Sequence, residues 1–406
     1  MRVVIIGAGH AAGQIITSLL MDQDFTGSIT LIGDEQWLPY QRPPLSKQYL
    51  SGEMELDQLY LKPKEFYKEH HINVRLGHRV IAIDCTLMTV TLDNGDTVPY
   101  DKLALATGTR VRELSIPGSD LDGIHYIRTI DDTSNLRDHF APDKSLSVVG
   151  GGYIGLEVAA AANKAGLKVT VLEMADRVMN RVVAPEVSTY YEALHKSHGV
   201  DIRTDIRVSG FTGTDQINAI TFEDGSSFET DLCVVGVGVI PNTELAEAAG
   251  LECNSDIGGI VVDDSARTSD PHIVACGDCT AHPSHIYGRN IRLESVQNAV
   301  DQAKAAALAI MDKPETYNAV PWFWSNQYDA KLQIVGLSQG YDQAVLRGNP
   351  DENSFSVFYL KDGTLVAVDA INSAREYMMG RKLITDGAKP DPARIADTSV
   401  SVKELV

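Results

Sequence analysis

One pattern occurs twice in this chain. Residues 2–6 form a short apolar strand that runs into Gly7-Ala8-Gly9-His10-Ala11-Ala12-Gly13 and then a helical stretch. Residues 146–149 form a second such strand, followed by Gly150-Gly151-Gly152-Tyr153-Ile154-Gly155 and another helix. Each copy goes on to an apolar strand ending in an acid, Ile29-Thr30-Leu31-Ile32-Gly33-Asp34 in the first and Val169-Thr170-Val171-Leu172-Glu173 in the second. A second repeat follows in the same order. Thr91-Leu92-Asp93-Asn94-Gly95 leads through Asp101 to Leu105-Ala106-Thr107-Gly108, and Thr221-Phe222-Glu223-Asp224-Gly225 leads through Asp231 to Val235-Gly236-Val237-Gly238, without a gap between the two alignments. Each reads as a hairpin on an Asn-Gly or Asp-Gly turn that feeds an apolar strand. Single hairpins look alike by chance, but two motifs repeated in one order mark an internal duplication. Strand, glycine turn, helix, strand and acid make a dinucleotide-binding unit. The expected architecture is therefore α/β with two Rossmann-like domains.

The spacing Gly7-x-Gly9-x-x-Ala12 has a physical purpose at each position. The first glycine permits a tight turn, the second lets backbone approach a pyrophosphate, and the small third residue lets helix pack on strand. The helix N-terminus then offers unpaired N–H groups and the positive end of its dipole to the phosphates. Asp34 lies 27 residues after Gly7, and Glu173 lies 23 residues after Gly150, each near the place of a ribose-binding acid. A carboxylate there accepts from the ribose 2′-hydroxyl and repels a 2′-phosphate, so Glu173 favours NAD over NADP. Arg177 and Arg181, just downstream, are cations of the kind a phosphate uses. Two dinucleotides on one chain suggest one tightly held flavin and one exchanging nicotinamide.

From about residue 320 the character changes. Residues 355–360 and 364–371 flank Lys361-Asp362-Gly363 and read as a hairpin, and residues 373–384 read as a helix carrying Arg375, Arg381 and Lys382. The expected division is an FAD-binding domain over 1–110 and 240–318, an NAD-binding domain over 111–239, and a C-terminal α+β domain over 319–406. Lys and Arg number 35 against 55 Asp and Glu, a net charge of −20. That balance argues against nucleic acid, where affinity comes from cations on phosphates, and against a polybasic membrane anchor. No apolar run approaches the roughly 18 residues of a membrane span. The first strand starts at once, leaving no room for a signal peptide, and five sparse cysteines suit a reducing compartment. The expected location is the cytoplasm.

Cys276-Gly277-Asp278-Cys279, with His282 and His285, matches a C-x₂-C-x₂-H-x₂-H pattern. Zinc sites draw ligand pairs from separated elements, with about a dozen residues between the pairs. Ten consecutive residues supplying all four ligands is poor tetrahedral geometry, and no metal is expected.

Ala275-Cys276-Gly277-Asp278 resembles the A-x-G-D segment by which two-domain flavoproteins hold the ribityl chain of FAD. The block Leu38-Pro39-Tyr40-Gln41-Arg42-Pro43-Pro44-Leu45-Ser46-Lys47 is more specific. Together with Ala106-Thr107-Gly108, Leu293-Glu294-Ser295-Val296-Gln297 and Trp322-Phe323-Trp324-Ser325, it is similar to the NADH-dependent ferredoxin reductases of bacterial oxygenase systems, which are glutathione-reductase-like flavoproteins. The resemblance covers essentially the whole chain. It implies that Gly7, Gly9, Ala11 and Ala12 cradle the FAD pyrophosphate, with Asp34 at the ribose and Val80 beside the adenine. Arg42, Lys47, Ala106, Thr107, Gly108, Arg128 and Trp324 would line the same cofactor, with Asp278 at the ribityl chain and Val296 at the isoalloxazine edge. Gly150, Gly152, Tyr153, Ile154, Gly155, Glu173 and Gly238 would belong to NADH. Lys47 would stand close to flavin N5, paired with Glu157 near the nicotinamide, as the catalytic pair that tunes the flavin.

Related disulfide reductases carry redox cysteines on the helix after the first acid, and NADH oxidases and peroxidases carry a single cysteine there. Residues 38–50 contain none, so electrons are expected to leave the flavin for an acceptor outside the protein. The implied activity is electron transfer from NADH through FAD to a 2Fe-2S ferredoxin that supplies a haem-thiolate monooxygenase or a Rieske-type dioxygenase. Two alternatives stay open at this point. One is an NADH oxidase, or a rubredoxin or nitrite reductase component of the same superfamily. The other is a signalling flavoprotein like apoptosis-inducing factor, against which the acidity weighs. Ferredoxins of this kind are acidic, so a chain of net charge −20 should repel its partner unless the charge is unevenly placed. Residues 372–394 hold five cations against three acids, and residues 285–293 hold Arg289 and Arg292 with no acid. These basic islands, with Arg375, Arg381 and Lys382, are expected to flank the flavin and steer the ferredoxin.

Overall fold

The computed structural model describes residues 1–405. The chain divides into two compact units, one of Met1–Gln41, Leu56–Arg110 and Val239–Pro321, the other of Arg42–Glu55, Val111–Gly238 and Trp322–Val406.

The first unit is built on a five-stranded parallel sheet in the order Ile273–Ala275, Lys102–Leu105, Arg2–Ile6, Ser28–Gly33, Asn73–Leu76. The central strand is apolar at every buried position because both of its faces are covered. Val3 and Ile5 pack with Ile15, Ile16 and Ala306 on one side, and Val4 and Ile6 with Val90, Leu92 and Tyr100 on the other. The helices His10–Met21 and Val296–Ile310 contribute the first layer, and the antiparallel sheet Val80–Asp84, Thr89–Leu92, Thr97–Pro99 contributes to the second.

The second unit repeats this plan. Its parallel sheet runs Ile124–His125, Leu232–Val235, Ser145–Val149, Lys168–Leu172, Asp201–Arg203, beside the antiparallel sheet Val208–Gly213, Ile217–Phe222, Ser227–Glu229. The duplication reaches single hydrogen bonds. The Asp101 carboxylate accepts the Arg2 N–H at 2.6 Å, and the Asp231 carboxylate accepts the Ser145 N–H at 2.8 Å, so each acid pins the first residue of its central strand.

The same unit carries a five-stranded antiparallel sheet in the order Trp322–Gln327, Ala330–Gly336, Thr364–Ile371, Ser354–Lys361, Gln343–Asn349. The hairpin expected around Lys361-Asp362-Gly363 forms, with Asp362 (φ 50°) and Gly363 (φ 74°) both left-handed, as a turn matched to strand twist requires. The helix Ala374–Thr385 lies on this sheet through Gly380, where an added Cβ would come within 2.7 Å of Val368 Cγ2. Among the described residues no helix is long and apolar enough to cross a membrane.

Candidate functional site: two glycine cradles and a buried ion pair

In the first unit Gly7 and Ala106 leave the C-terminal ends of adjacent parallel strands, where the strand order reverses and open α/β sheets bind ligands. Gly7 has φ +104°, and an added Cβ would lie 2.1 Å from the Ala106 carbonyl oxygen, so only glycine closes this turn. A Cβ on Gly9 would meet nothing within 4 Å. The helix His10–Met21 starts there with no side-chain cap and no acid in its first turn. Ala11 and Ala12 are buried against the sheet. Asp34 is exposed and ion-paired with Arg79 at 3.4 Å, and Val80 is buried.

Two further turns of this unit are each clamped by one residue. Asn242 donates from Nδ2 to the Thr107 carbonyl at 2.8 Å and accepts Thr107 Oγ1 on its own carbonyl at 2.9 Å. Gln302 Oε1 accepts the Gly277 N–H at 2.8 Å and Thr280 Oγ1 at 2.9 Å, fixing the turn that presents Asp278, whose carboxylate accepts Thr109 Oγ1 at 3.3 Å. Val296 is the first residue of the helix that carries Gln302. Cys276 and Cys279 fall on opposite faces of the parallel sheet, each wholly buried, and burial pushes both thiols up. They are core residues. Burial also holds His282 near a pKa of about 4, while His285 is exposed beside Asp264.

The second cradle copies the first. Gly150 has φ +107°, and its Cβ would lie 2.4 Å from the Gly236 carbonyl oxygen; Gly152 and Gly238 face open space. The helix Tyr153–Lys164 starts at Gly152, again without a side-chain cap or an acid in its first turn. Among the described residues these two helices are the ones that start on a glycine N-cap, whereas Ile130–Asp138 starts on Thr129, which accepts the Asp132 N–H, and Val296–Ile310 starts on Ser295. A Cβ on either capping glycine, Gly9 or Gly152, would meet nothing within 4 Å, which is the room a dinucleotide pyrophosphate requires at a helix N-terminus. Glu173 accepts the Gly151 N–H at 2.6 Å and the Ala175 N–H at 2.8 Å, which holds its carboxylate across the glycine loop. Arg177 is tied to the Val183 and Asn180 carbonyls and to Ser188 Oγ, so its guanidinium orders the following loop. Tyr153 packs on Phe323 with ring centroids 4.9 Å apart, and Ile154 is exposed.

Lys47 and Glu157, 110 positions apart, meet in this second unit. Glu157 sits on the second turn of Tyr153–Lys164 and is 5% exposed. Its Oε2 accepts from Lys47 Nζ and from Ser46 Oγ, each at 2.6 Å, and its Oε1 accepts from Ser325 Oγ at 2.6 Å. Lys47 Nζ also donates to the Pro43 carbonyl at 3.2 Å. A buried carboxylate with three donors, one charged, is a satisfied group rather than a strained one. Arg42 donates to the Arg128 carbonyl, bringing those two residues together, and Trp324 is half-buried beside Trp322.

Ser46, Ser325, Asn242 and Gln302 are additions that sequence reasoning missed. One expected docking cation is corrected. Arg292 is 17% exposed, ion-paired with Glu294 at 2.6 Å and bonded to the Ile257 carbonyl at 2.9 Å, so its charge is already neutralised.

The chain matches the pyridine nucleotide-disulphide oxidoreductase family over residues 1–303 and the reductase C-terminal family over residues 322–406. It is 43% identical to putidaredoxin reductase of Pseudomonas putida, covering 100% of this chain and 96% of that protein. It is 42% identical to rhodocoxin reductase of Rhodococcus erythropolis, covering 99% of this chain and 94% of that one. The crystal structure of a covalent putidaredoxin reductase–putidaredoxin complex superposes with a TM-score of 0.95 at 42% identity, covering 100% of this chain and 97% of that one. With two duplicated glycine cradles and these full-length relatives, the chain belongs to the pyridine nucleotide-disulphide oxidoreductase family and carries its reductase C-terminal domain.

Proposed function

We propose that this protein is an NADH-dependent ferredoxin reductase. FAD occupies the first glycine cradle, on the domain over 1–110 and 240–318, NADH occupies the second, on the domain over 111–239, and a 2Fe-2S ferredoxin takes the electrons. The observation that carries the reading is the pair of glycine-headed helices, each entered through a left-handed glycine turn at the end of a central strand, one per duplicated domain. FAD, when bound, would accept a hydride from NADH and release electrons singly, which matches a two-electron donor to a one-electron acceptor. The chain supplies position and charge. Glu157 holds Lys47 Nζ at a fixed place, and a fixed cation of this kind would favour the electron-rich form of a bound flavin. Glu173, already oriented by two backbone N–H groups, accepts the ribose 2′-hydroxyl of NADH, and Arg177 is too committed to its loop to recruit a 2′-phosphate.

The relative captured with putidaredoxin supports a ferredoxin as the partner. The exposed cations that fit an acidic partner are Arg289, Arg375 and Arg381; Lys382 is exposed as well but ion-paired with Asp386. On the helix Ala374–Thr385, Met378 is 68% exposed between Arg375 and Arg381, an apolar centre with a basic rim. The cytoplasmic location rests on five cysteines that are all free thiols. The experiment is an anaerobic titration of the purified protein. NADH bleaches a flavin spectrum at concentrations where NADPH does not; a protein without flavin, or one bleached by NADPH first, overturns the reading.

A further inference from the structure

A row of hydrogen bonds leads from the Lys47–Glu157 pair into the core of the second unit. Glu157 Oε1 accepts from Ser325 Oγ at 2.6 Å, Ser325 Oγ accepts from Gln327 Nε2 at 3.1 Å, and Gln327 Oε1 lies 2.8 Å from His195 Nε2. Ser325 and Gln327 alternate onto one face of the strand Trp322–Gln327, and His195 comes from the last turn of the helix Pro185–Ser197. All three are at most 1% exposed.

The direction of every bond is forced from the Glu157 end. A carboxylate only accepts, so the Ser325 hydroxyl donates to it and keeps its oxygen for an incoming donor. Gln327 must then turn its NH₂ toward Ser325 and its carbonyl toward His195. His195 must carry its proton on Nε2, leaving Nδ1 as a buried nitrogen without a hydrogen-bond partner. Burial lowers the ring to a pKa of about 4, so it is neutral in this role.

We propose that His195 is a positioning residue of the Lys47–Glu157 pair, acting through Gln327 and Ser325. The proposal rests on the reading that this pair serves the flavin. The His195 Nε2–H is the contact that decides which end of the Gln327 amide faces Ser325. Without it the amide can present its carbonyl instead, and the Ser325 hydroxyl then turns from Glu157 to Gln327. Glu157 Oε1 loses its donor, the carboxylate is free to rotate, and Lys47 Nζ loses its fixed place. Two of the three links lie in the C-terminal domain, so that domain completes the ion pair.

The test uses the FAD-loaded protein and its variants His195→Phe, His195→Gln and Gln327→Leu, each with and without Glu157→Gln. Two quantities are read, the flavin midpoint potential and the stopped-flow rate of flavin reduction by NADH. His195→Phe and Gln327→Leu are expected to slow reduction about tenfold, the effect of one hydrogen bond to a charged group, and to lower the potential. His195→Gln, which keeps an N–H donor, is expected to restore both. In the Glu157→Gln background neither substitution has a further effect, because the row no longer ends on a carboxylate. Additive slowing in that background, or a His195→Phe protein with wild-type rate and potential, overturns the positioning role while the ion pair keeps its own. If Glu157→Gln alone changes neither quantity, the reading of the pair fails and takes the proposal with it. Imidazole ¹⁵N spectra of the wild-type holoprotein need no variant to fold. They are expected to show His195 neutral with the proton on Nε2 at pH 7, and a charged ring or an Nδ1–H tautomer overturns the proposal.

Discussion

Asp369 offers a sharp test of how burial acts in the C-terminal domain. It is wholly buried in the strand Thr364–Ile371, with one hydrogen bond, donated by the Tyr359 hydroxyl to Oδ2 at 2.5 Å, and none to Oδ1. Tyr359 also accepts the Ala184 N–H at 2.8 Å. Burial pushes the carboxyl up from 3.8 to about 7, against the opposing pull of the Tyr359 bond. Between those two values the folded chain keeps a proton that the unfolded chain has released. Stability therefore falls as pH rises through this window and is lowest above pH 7. At about 1.4 kcal/mol per decade, the ionised form costs the fold about 4 kcal/mol at pH 8. Asp369→Asn keeps the size of the side chain and an acceptor for Tyr359 but never ionises. Its advantage over wild type should grow by about 3 kcal/mol between pH 5 and pH 8, or roughly 3–4 °C in melting temperature for a chain of 406 residues. Calorimetry on the two FAD-loaded proteins side by side cancels the contribution of the cofactor. A melting-temperature difference that stays flat across pH, or one that turns against the variant at pH 8, refutes the reasoning.

Gly150→Ala places a Cβ 2.4 Å from the Gly236 carbonyl at φ +107°, a local strain of about 1–3 kcal/mol. It is expected to raise the KM for NADH at least tenfold while the flavin spectrum persists; an unchanged KM contradicts the assignment of this loop to NADH. Lys47→Ala removes the charged donor to Glu157 and is expected to slow flavin reduction by NADH by tenfold or more in stopped flow, whereas an unchanged rate removes its catalytic role. Arg289→Glu combined with Arg381→Glu should slow ferredoxin reduction about tenfold at low ionic strength, with the gap closing as salt screens the surface. An unaltered ferredoxin rate would mean that these are ordinary solvated cations.

The glycine cradles are legible in the sequence because their cause is local. The turn at Gly7 passes within 2.1 Å of the Ala106 carbonyl as a Cβ would see it, so the residue type itself records the geometry, and the second copy at Gly150 repeats it. The hairpin at Asp362-Gly363 is legible for the same reason. The surroundings of Glu157 are not. Ser46 and Ser325 reach it from 111 and 168 positions away, and a serine in a strand or a short turn looks like any other. Asn242 and Gln302 are hidden likewise, because their partners are backbone groups brought close only by the folded sheet. Arg292 shows the converse. Its charge is plain in the sequence, but nothing in the spacing shows that Glu294, two positions on, turns back to neutralise it.

The central claim is that this chain passes electrons from NADH to a 2Fe-2S ferredoxin. The direct measurement is the steady-state rate of NADH oxidation with cytochrome c as terminal acceptor, with and without added 2Fe-2S ferredoxins. The account predicts a rate that rises steeply with ferredoxin concentration and saturates, with little turnover on dioxygen alone. Rapid NADH consumption by dioxygen that no ferredoxin accelerates would contradict it.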